Sequence, residues 1–208
     1  MSETFDDSET SVRRYNLFVS DWLTRARMPT LEIINDRFSR YLRAALFQHM
    51  RKTIELTAGA IELVKHAQLL ERLEEPSYIA LVNLKPLRGT MLVVADVELV
   101  TSIVESRFGG NGRFPVSLRK REFTTVEQKV MRRIIDTALE QFALAWQPIE
   151  QFEPDIVRQE FNPQFASVAT ASEIVIVSTF LVKVDNGHGR LMVCIPYPTL
   201  DLLRPQLM

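Results

Sequence analysis

Apolar residues recur with helical spacing at Leu31, Ile34, Phe38, Tyr41, Leu42 and Ala45, with His49 in line. This stripe, entered at Pro29-Thr30, predicts a long helix running to about Lys52. Alternation at Ile54 and Leu56 predicts a strand, and residues Ala67 to Leu73 a short helix. Tyr78 to Leu84 and Thr90 to Ala95 read as two strands joined through Lys85-Pro86-Leu87-Arg88-Gly89. Asp96, whose carboxylate can accept the first free amides of a helix, caps a segment carrying Val97, Val100, Val104 and Phe108.

The second half runs through the same order. Thr124 and Glu127 form a capping-box pattern before a helix carrying Val130, Ile134, Ala138, Phe142 and Ala145, which Gln147-Pro148 ends. A strand follows near Ile156 to Phe161, then strands from Ile174 to Val184 and from Arg190 to Ile195. The five residues Asp185-Asn186-Gly187-His188-Gly189 read as the loop between them, ending in glycine like the loop at Gly89. Thr199 to Leu203 read as a short terminal helix. Thr30-x-Glu32 parallels Thr125-x-Glu127, and Gly89-x-Met91-Leu92-Val93 parallels Gly189-x-Leu191-Met192-Val193.

The chain therefore reads as a duplication, with halves at about 30–108 and about 124–205. Each long helix has one apolar stripe and the hairpin strands are apolar on both sides. That combination predicts an α/β fold: a duplicated three-layer α/β/α domain whose mixed sheet carries helices on both faces. Residues 1–12 are acidic and rich in Ser and Thr, so they cannot bury enough surface to fold alone and read as a disordered tail. Residues 13–208 read as one domain, since no Gly/Ser-rich or Pro-rich linker parts the halves.

A formal net charge of −1, with both signs interspersed, argues against nucleic acid as a partner. The basic excess from Arg37 to Lys52 reads as a solvated helix face. A single cysteine, Cys194, excludes an internal disulfide, fits a reducing cytoplasm, and in Leu191-Met192-Val193-Cys194-Ile195 reads as a small buried hydrophobe. No signal peptide or membrane-spanning apolar run is legible.

Three of the seven glycines fall within four positions, in Phe108-Gly109-Gly110-Asn111-Gly112-Arg113-Phe114-Pro115. Phosphate binding is disfavoured: no Lys-Ser or Lys-Thr pair follows, Pro115 stands where a dinucleotide fingerprint needs its third glycine, and the loop follows a helix instead of a strand. One reading is a helix C-cap and turn, with Gly109 or Gly110 in the left-handed position. The other is an exposed docking loop. Phe108 and Phe114 then either anchor a partner or pin the loop to the core.

Catalytic chemistry is sparse. His49, His66 and His188 share no metal-ligand spacing with one another or with Cys194, no Gly-x-Ser-x-Gly elbow exists, and no cofactor motif is legible. A ligand-binding α/β domain would need a pocket that residue order does not reveal.

From Arg13-Arg14-Tyr15 to Arg204, the chain resembles the middle domain of the flagellar motor switch family FliM, of CheC-like fold. Leu31-Glu32-Ile33-Ile34-Asn35-Asp36-Arg37-Phe38, Leu84-Lys85-Pro86-Leu87-Arg88-Gly89 and the unbroken glycine block carry the resemblance. It implies a pseudo-twofold α/β/α domain and a non-enzymatic role in the cytoplasmic C-ring of the flagellar basal body, at the cytoplasmic face of the inner membrane. It implies binding to the FliG middle domain through Gly109, Gly110, Asn111 and Gly112, flanked by Phe108, Arg113 and Phe114, and side-by-side contact with neighbouring FliM subunits. Full-length members resemble this chain flanked by a segment that captures phosphorylated CheY and a domain that joins FliN. Residues 1–12 show no Glu-Ile-Asp-Ala-Leu-Leu-like helix and the chain stops shortly after Arg204. Tight CheY capture and FliN assembly are therefore not expected, while a weaker CheY contact stays open.

The same superfamily includes CheC-type phosphatases of CheY, which carry Asp/Ser-x-x-x-Glu-x-x-Asn on a helix. Glu32-x-x-Asn35 survives here, but Met28 takes the Asp/Ser position, and in the second half Val130 stands where the asparagine would follow Glu127. Phosphatase activity is the alternative that this pattern leaves. Glu32 reads otherwise as a first-turn acid complementing its helix dipole.

Overall fold

The computed structural model describes residues 28–110 and 121–207. In chain order these form α1 (Pro29–Met50), β1 (Ile54–Lys65), α2 (His66–Arg72), β2 (Tyr78–Lys85), β3 (Thr90–Ala95), α3 (Val97–Arg107) and α4 (Thr125–Trp146). They continue with β4 (Glu153–Glu160), a 3-10 turn (Pro163–Phe165), β5 (Ile174–Val184), β6 (Gly187–Pro196), a 3-10 segment (Tyr197–Leu203) and α5 (Arg204–Leu207). The expected elements are thus present, with β4 beginning earlier than the sequence pattern indicates. The acidic tail lies outside the described residues.

One six-stranded sheet runs in the order β1-β5-β6-β3-β2-β4. Exchanging the halves, so that β1, β2 and β3 become β4, β5 and β6, gives the same order read backwards. The duplication is therefore a pseudo-twofold axis between β3 and β6, with each half's first strand pairing beside the other half's hairpin. Both edge strands carry a register shift, at Ala58/Ile61 in β1 and opposite Leu81/Val82 in β4. Lys183 faces Glu55 and, at the related position, Lys85 faces Glu153. Every pairing is antiparallel, so the sheet is not mixed. Short hairpins join β2 to β3 and β5 to β6, and the edge strands cross to the opposite half, which leaves no parallel neighbour.

Alternate strand residues feed two cores. On one face Ile54, Tyr78, Val82, Val93, Phe180 and Val193 pack under α1, α3, α4 and the 3-10 segment. Phe38 of α1 sits there edge-on to Phe142 of α4 at 5.8 Å and to Phe180 of β5 at 4.9 Å. On the other face Ile79, Leu81, Leu92, Val94, Val177 and Cys194 pack with Leu69 of α2, Leu73, Ala166 and Val168. Helices do lie on both faces, but the three long helices among the described residues, α1, α3 and α4, share one. Cys194 is fully buried, as read, and burial pushes its thiol up to about 12.

Among the buried polar side chains of the described residues, Asn35 and His66 each meet a specific partner. Asn35 Nδ2 donates to Ser178 Oγ at 2.8 Å, fastening α1 to β5. Ser178→Ala would leave that amide without its partner and is expected to cost about 1–3 kcal/mol in denaturant melts. A cost of zero would mean the bond is dispensable.

His66, 2% exposed, accepts from Val168 N at 3.5 Å through Nε2, which requires a neutral ring. Burial holds its imidazole below the ordinary 6.5, against the opposing pull of Glu173. As pH falls the unfolded chain takes the proton first. The stability contributed by neutral His66 is therefore complete above about pH 6.5 and is lost as pH drops through the lower folded-state value. Urea melts at pH 7.5 and 5 should show this loss, and His66→Gln should shrink it; an undiminished loss in the variant would assign it to other groups.

Candidate functional site

The glycine block begins where α3 ends, so its position depends on how α3 is held. Asp96 caps the helix: Oδ1 accepts from Leu99 N at 2.9 Å and Arg190 N at 3.0 Å, and Oδ2 accepts from Arg190 Nε at 2.9 Å. The cap thus also ties the helix start to β6. Along its length α3 lies almost directly on the β5–β6 hairpin. A Cβ at Gly189 would fall 2.2 Å from Leu99 N, and one at Gly187 would fall 2.4 Å from Ser102 Oγ.

These glycines are not the turn the sequence pattern indicates. Gly187, His188 and Gly189 pair with Val184, Lys183 and Val182, so they belong to β6 and the turn is Asp185-Asn186 alone. Asp185 takes the left-handed conformation there, at φ 54°. Its Oδ2 accepts from Lys52 Nζ at 2.9 Å and Ser106 Oγ at 3.1 Å, and the Lys52 bond is the main cause that holds the carboxyl below its ordinary range. Arg107 donates from Nη1 to His49 O at 2.8 Å. The last turn of α3 is therefore fastened both to the β5–β6 turn and to the end of α1.

Beyond that turn the backbone closes in a Schellman motif. Gly110 N donates to Glu105 O at 2.9 Å and Gly109 N to Ser106 O at 3.2 Å, with Gly109 left-handed at φ 88°. The C-cap reading thus holds at Gly109. Gly110 is needed for a different reason: its Cβ would lie 2.3 Å from Glu105 Cγ. A Cβ at Gly109 would meet nothing within 4 Å, and Phe108 is 68% exposed, so Phe108 does not pin the loop to the core. Asn111, Gly112, Arg113 and Phe114 lie outside the described residues.

Residue order did not single out Ser102 or Ser106, and it read Asp185, Gly187 and Gly189 only as parts of a turn. The legible signal was small: two serines four apart on the helix from Val97 to Arg107, and two glycines alternating in a strand.

Glu32 and Asn35 are not presented together. Glu32 is exposed while Asn35 is 5% exposed, its amide spent on Ser178. Glu127 of the second half is likewise engaged. It completes the capping box with Thr124 and takes two bonds from Arg121, at 2.9 and 2.7 Å. The Arg121 bond is foremost in holding its carboxyl below the ordinary range. His188 is exposed on β6 and His49 lies 3.4 Å from Thr137 Oγ1. Among the described residues no three His, Cys, Asp or Glu side chains form a metal-holding group, and no described helix is long and apolar enough to cross a membrane.

Residues 24–208 match the family model described as flagellar motor switch protein FliM. The chain is 38% identical over 197 residues to the FliM of Pseudomonas aeruginosa, covering 95% of this chain and 61% of that protein. It is 38% identical over 200 residues to that of Escherichia coli, covering 96% and 60%. The chain thus spans about three fifths of the length of these relatives. Among solved structures it resembles the FliM middle domain of Vibrio alginolyticus, at 32% identity and a TM-score of 0.79, covering 86% of this chain and all of that one. It shares the fold of the FliM in a FliG–FliM complex from H. pylori, at 19% identity and a TM-score of 0.79, covering 84% and 95%. With Gly109 and Gly110 closing a firmly seated helix inside the same fold, the chain belongs to the FliM family of flagellar motor switch proteins.

Proposed function

We propose that this chain is a non-enzymatic assembly module of the flagellar C-ring that binds the FliG middle domain through the end of α3 and the Gly-Gly-Asn-Gly block. The observation that carries the reading is the combination at Phe108-Gly109-Gly110. An exposed aromatic and an open glycine stand at the tip of a helix fastened at both ends. Small residues let a partner backbone approach closely, and an exposed aromatic supplies the apolar anchor from which interface energy usually comes. The H. pylori FliM of the same fold was solved in complex with FliG, which supports the choice of partner.

In this reading neighbouring copies associate side by side in the ring, at the cytoplasmic face of the inner membrane. FliG contact at this site then passes on the sense of rotation set by chemotaxis. CheY contacts this domain only weakly, and FliN joins through parts beyond it. Phosphatase chemistry is disfavoured because the Asn35 amide is turned inward and bonded, away from exposed Glu32. Titration of the chain against purified FliG middle domain tests the proposal. Saturable binding with no acceleration of phosphorylated CheY decay supports it; no binding by a folded chain contradicts it.

A further inference from the structure

Three distant parts of the chain meet beside the glycine block. α1 closes on a left-handed residue, Arg51 at φ 55°, and Lys52 follows at once. The β5–β6 turn brings Asp185 to the same place, and the last turn of α3 brings Ser106. Asp185 Oδ2 joins them, accepting from Lys52 Nζ at 2.9 Å and from Ser106 Oγ at 3.1 Å. The side chains of Lys52 and Asp185 are only 34% and 22% exposed, so salt and solvent screen this pair less than one at the open surface.

Ser106 behaves unlike the other hydroxyl residues of α3. Thr101 and Ser102 donate back along their own helix, to Val97 O at 2.7 Å and Glu98 O at 2.8 Å, the default for a helical hydroxyl. Ser106, which is buried, donates across to Asp185 instead. Its carbonyl accepts from Gly109 N at 3.2 Å, one of the two bonds that close the Schellman motif. Two consecutive hydrogen bonds therefore lead from the Asp185 carboxylate through Ser106 to the first glycine of the block. The next residue, Arg107, is tied to His49 O of α1, so the last turn of α3 is fixed about its axis from two sides.

The turn by itself does not call for a carboxylate. At φ 54° position 185 suits Asp, Asn or Gly. Of these only Asp supplies both the charge that draws Lys52 and the oxygen that takes the Ser106 hydroxyl.

We infer that Asp185 is a positioning residue for the glycine block: through Ser106 it fixes the direction in which the chain leaves α3, and with it the affinity for FliG. The inference rests on the proposed function. It adds to that site a residue from the opposite half of the duplication, which acts on the block without being part of it.

The test compares the wild-type chain with Asp185→Gly, Asp185→Asn and Ser106→Ala. Gly suits the left-handed turn but removes both bonds; Asn suits it too and keeps an oxygen for the Ser106 hydroxyl without the charge. Each chain is titrated with purified FliG middle domain, and amide hydrogen exchange is read along α3 to Gly110. Asp185→Gly should weaken FliG binding by about fivefold or more and speed exchange at Gly109 and Gly110 by a similar factor. Exchange from Val100 to Ile103 should stay unchanged, a pattern that general loosening of the fold would not give. Ser106→Ala should reproduce both effects, and the two changes combined should do no more than either alone. Asp185→Asn should stay within about twofold of wild type. Wild-type affinity and unchanged exchange in Asp185→Gly would overturn the inference and leave the glycine-block reading standing. So would exchange that rises equally along all of α3, or losses that add in the double variant. A folded wild-type chain that does not bind FliG would overturn both.

Discussion

Gly189→Ala is expected to be the most damaging single-methyl change in this fold. The added Cβ would stand 2.2 Å from the amide nitrogen and 2.4 Å from the Cα of Leu99, both backbone atoms in the first turn of α3. No rotamer change relieves a clash with backbone. The helix must lift off β6, which also pulls on the Asp96 cap and its bonds to Arg190. Overpacking of this kind costs on the order of 3 kcal/mol, a melting point lower by roughly 10 °C for a chain of this size. Gly109→Ala is the control. It pays only for left-handed backbone, about 1–2 kcal/mol, because its Cβ would enter open space. Equal, small effects at both positions would mean that α3 is not seated on the hairpin glycines.

Gly110→Val should instead act on binding. Its Cβ would lie 2.3 Å from Glu105 Cγ and 3.0 Å from Glu105 O, the same oxygen that accepts the Gly110 amide. The branched side chain drives the backbone away from that oxygen and opens the Schellman closure, so the segment leaves α3 in a new direction. Affinity for the FliG middle domain should fall at least tenfold, about 1.4 kcal/mol or more. The change lies at an exposed helix end, so stability should drop by less than about 2 kcal/mol. A collapse of the melt alongside lost binding would return Gly110 to a purely structural role.

What residue order revealed, and what it did not, follows from the range of the interactions. The stripe of Leu31, Ile34, Phe38 and Leu42 and the Thr124–Glu127 box are local, and both stand where the pattern places them, whereas Tyr41 and His49 of the same stripe are exposed. The matching glycine positions at 89 and 189 showed the duplication, which the mirrored strand order bears out. Glycine was misread where its reason was distant. Gly187 and Gly189 looked like turn residues, yet they are flat places on a strand where a helix comes down. The exchange of edge strands, the gathering of long helices on one face and the inward turn of Asn35 toward Ser178, 143 positions away, are likewise set by tertiary packing. At the site, the C-cap at Gly109 was legible, but the clasp of Ser106, Asp185 and Lys52 was not, because it joins three separated segments.

The claim that FliG docks at the end of α3 is tested most directly by its footprint on an isotope-labelled chain, followed by backbone amide NMR as unlabelled FliG middle domain is added. The account predicts saturable changes that are largest at Phe108, Gly109 and Gly110. Saturable binding whose largest changes fall instead on β4 and Pro163–Phe165, with Phe108 to Gly110 unmoved, would contradict it.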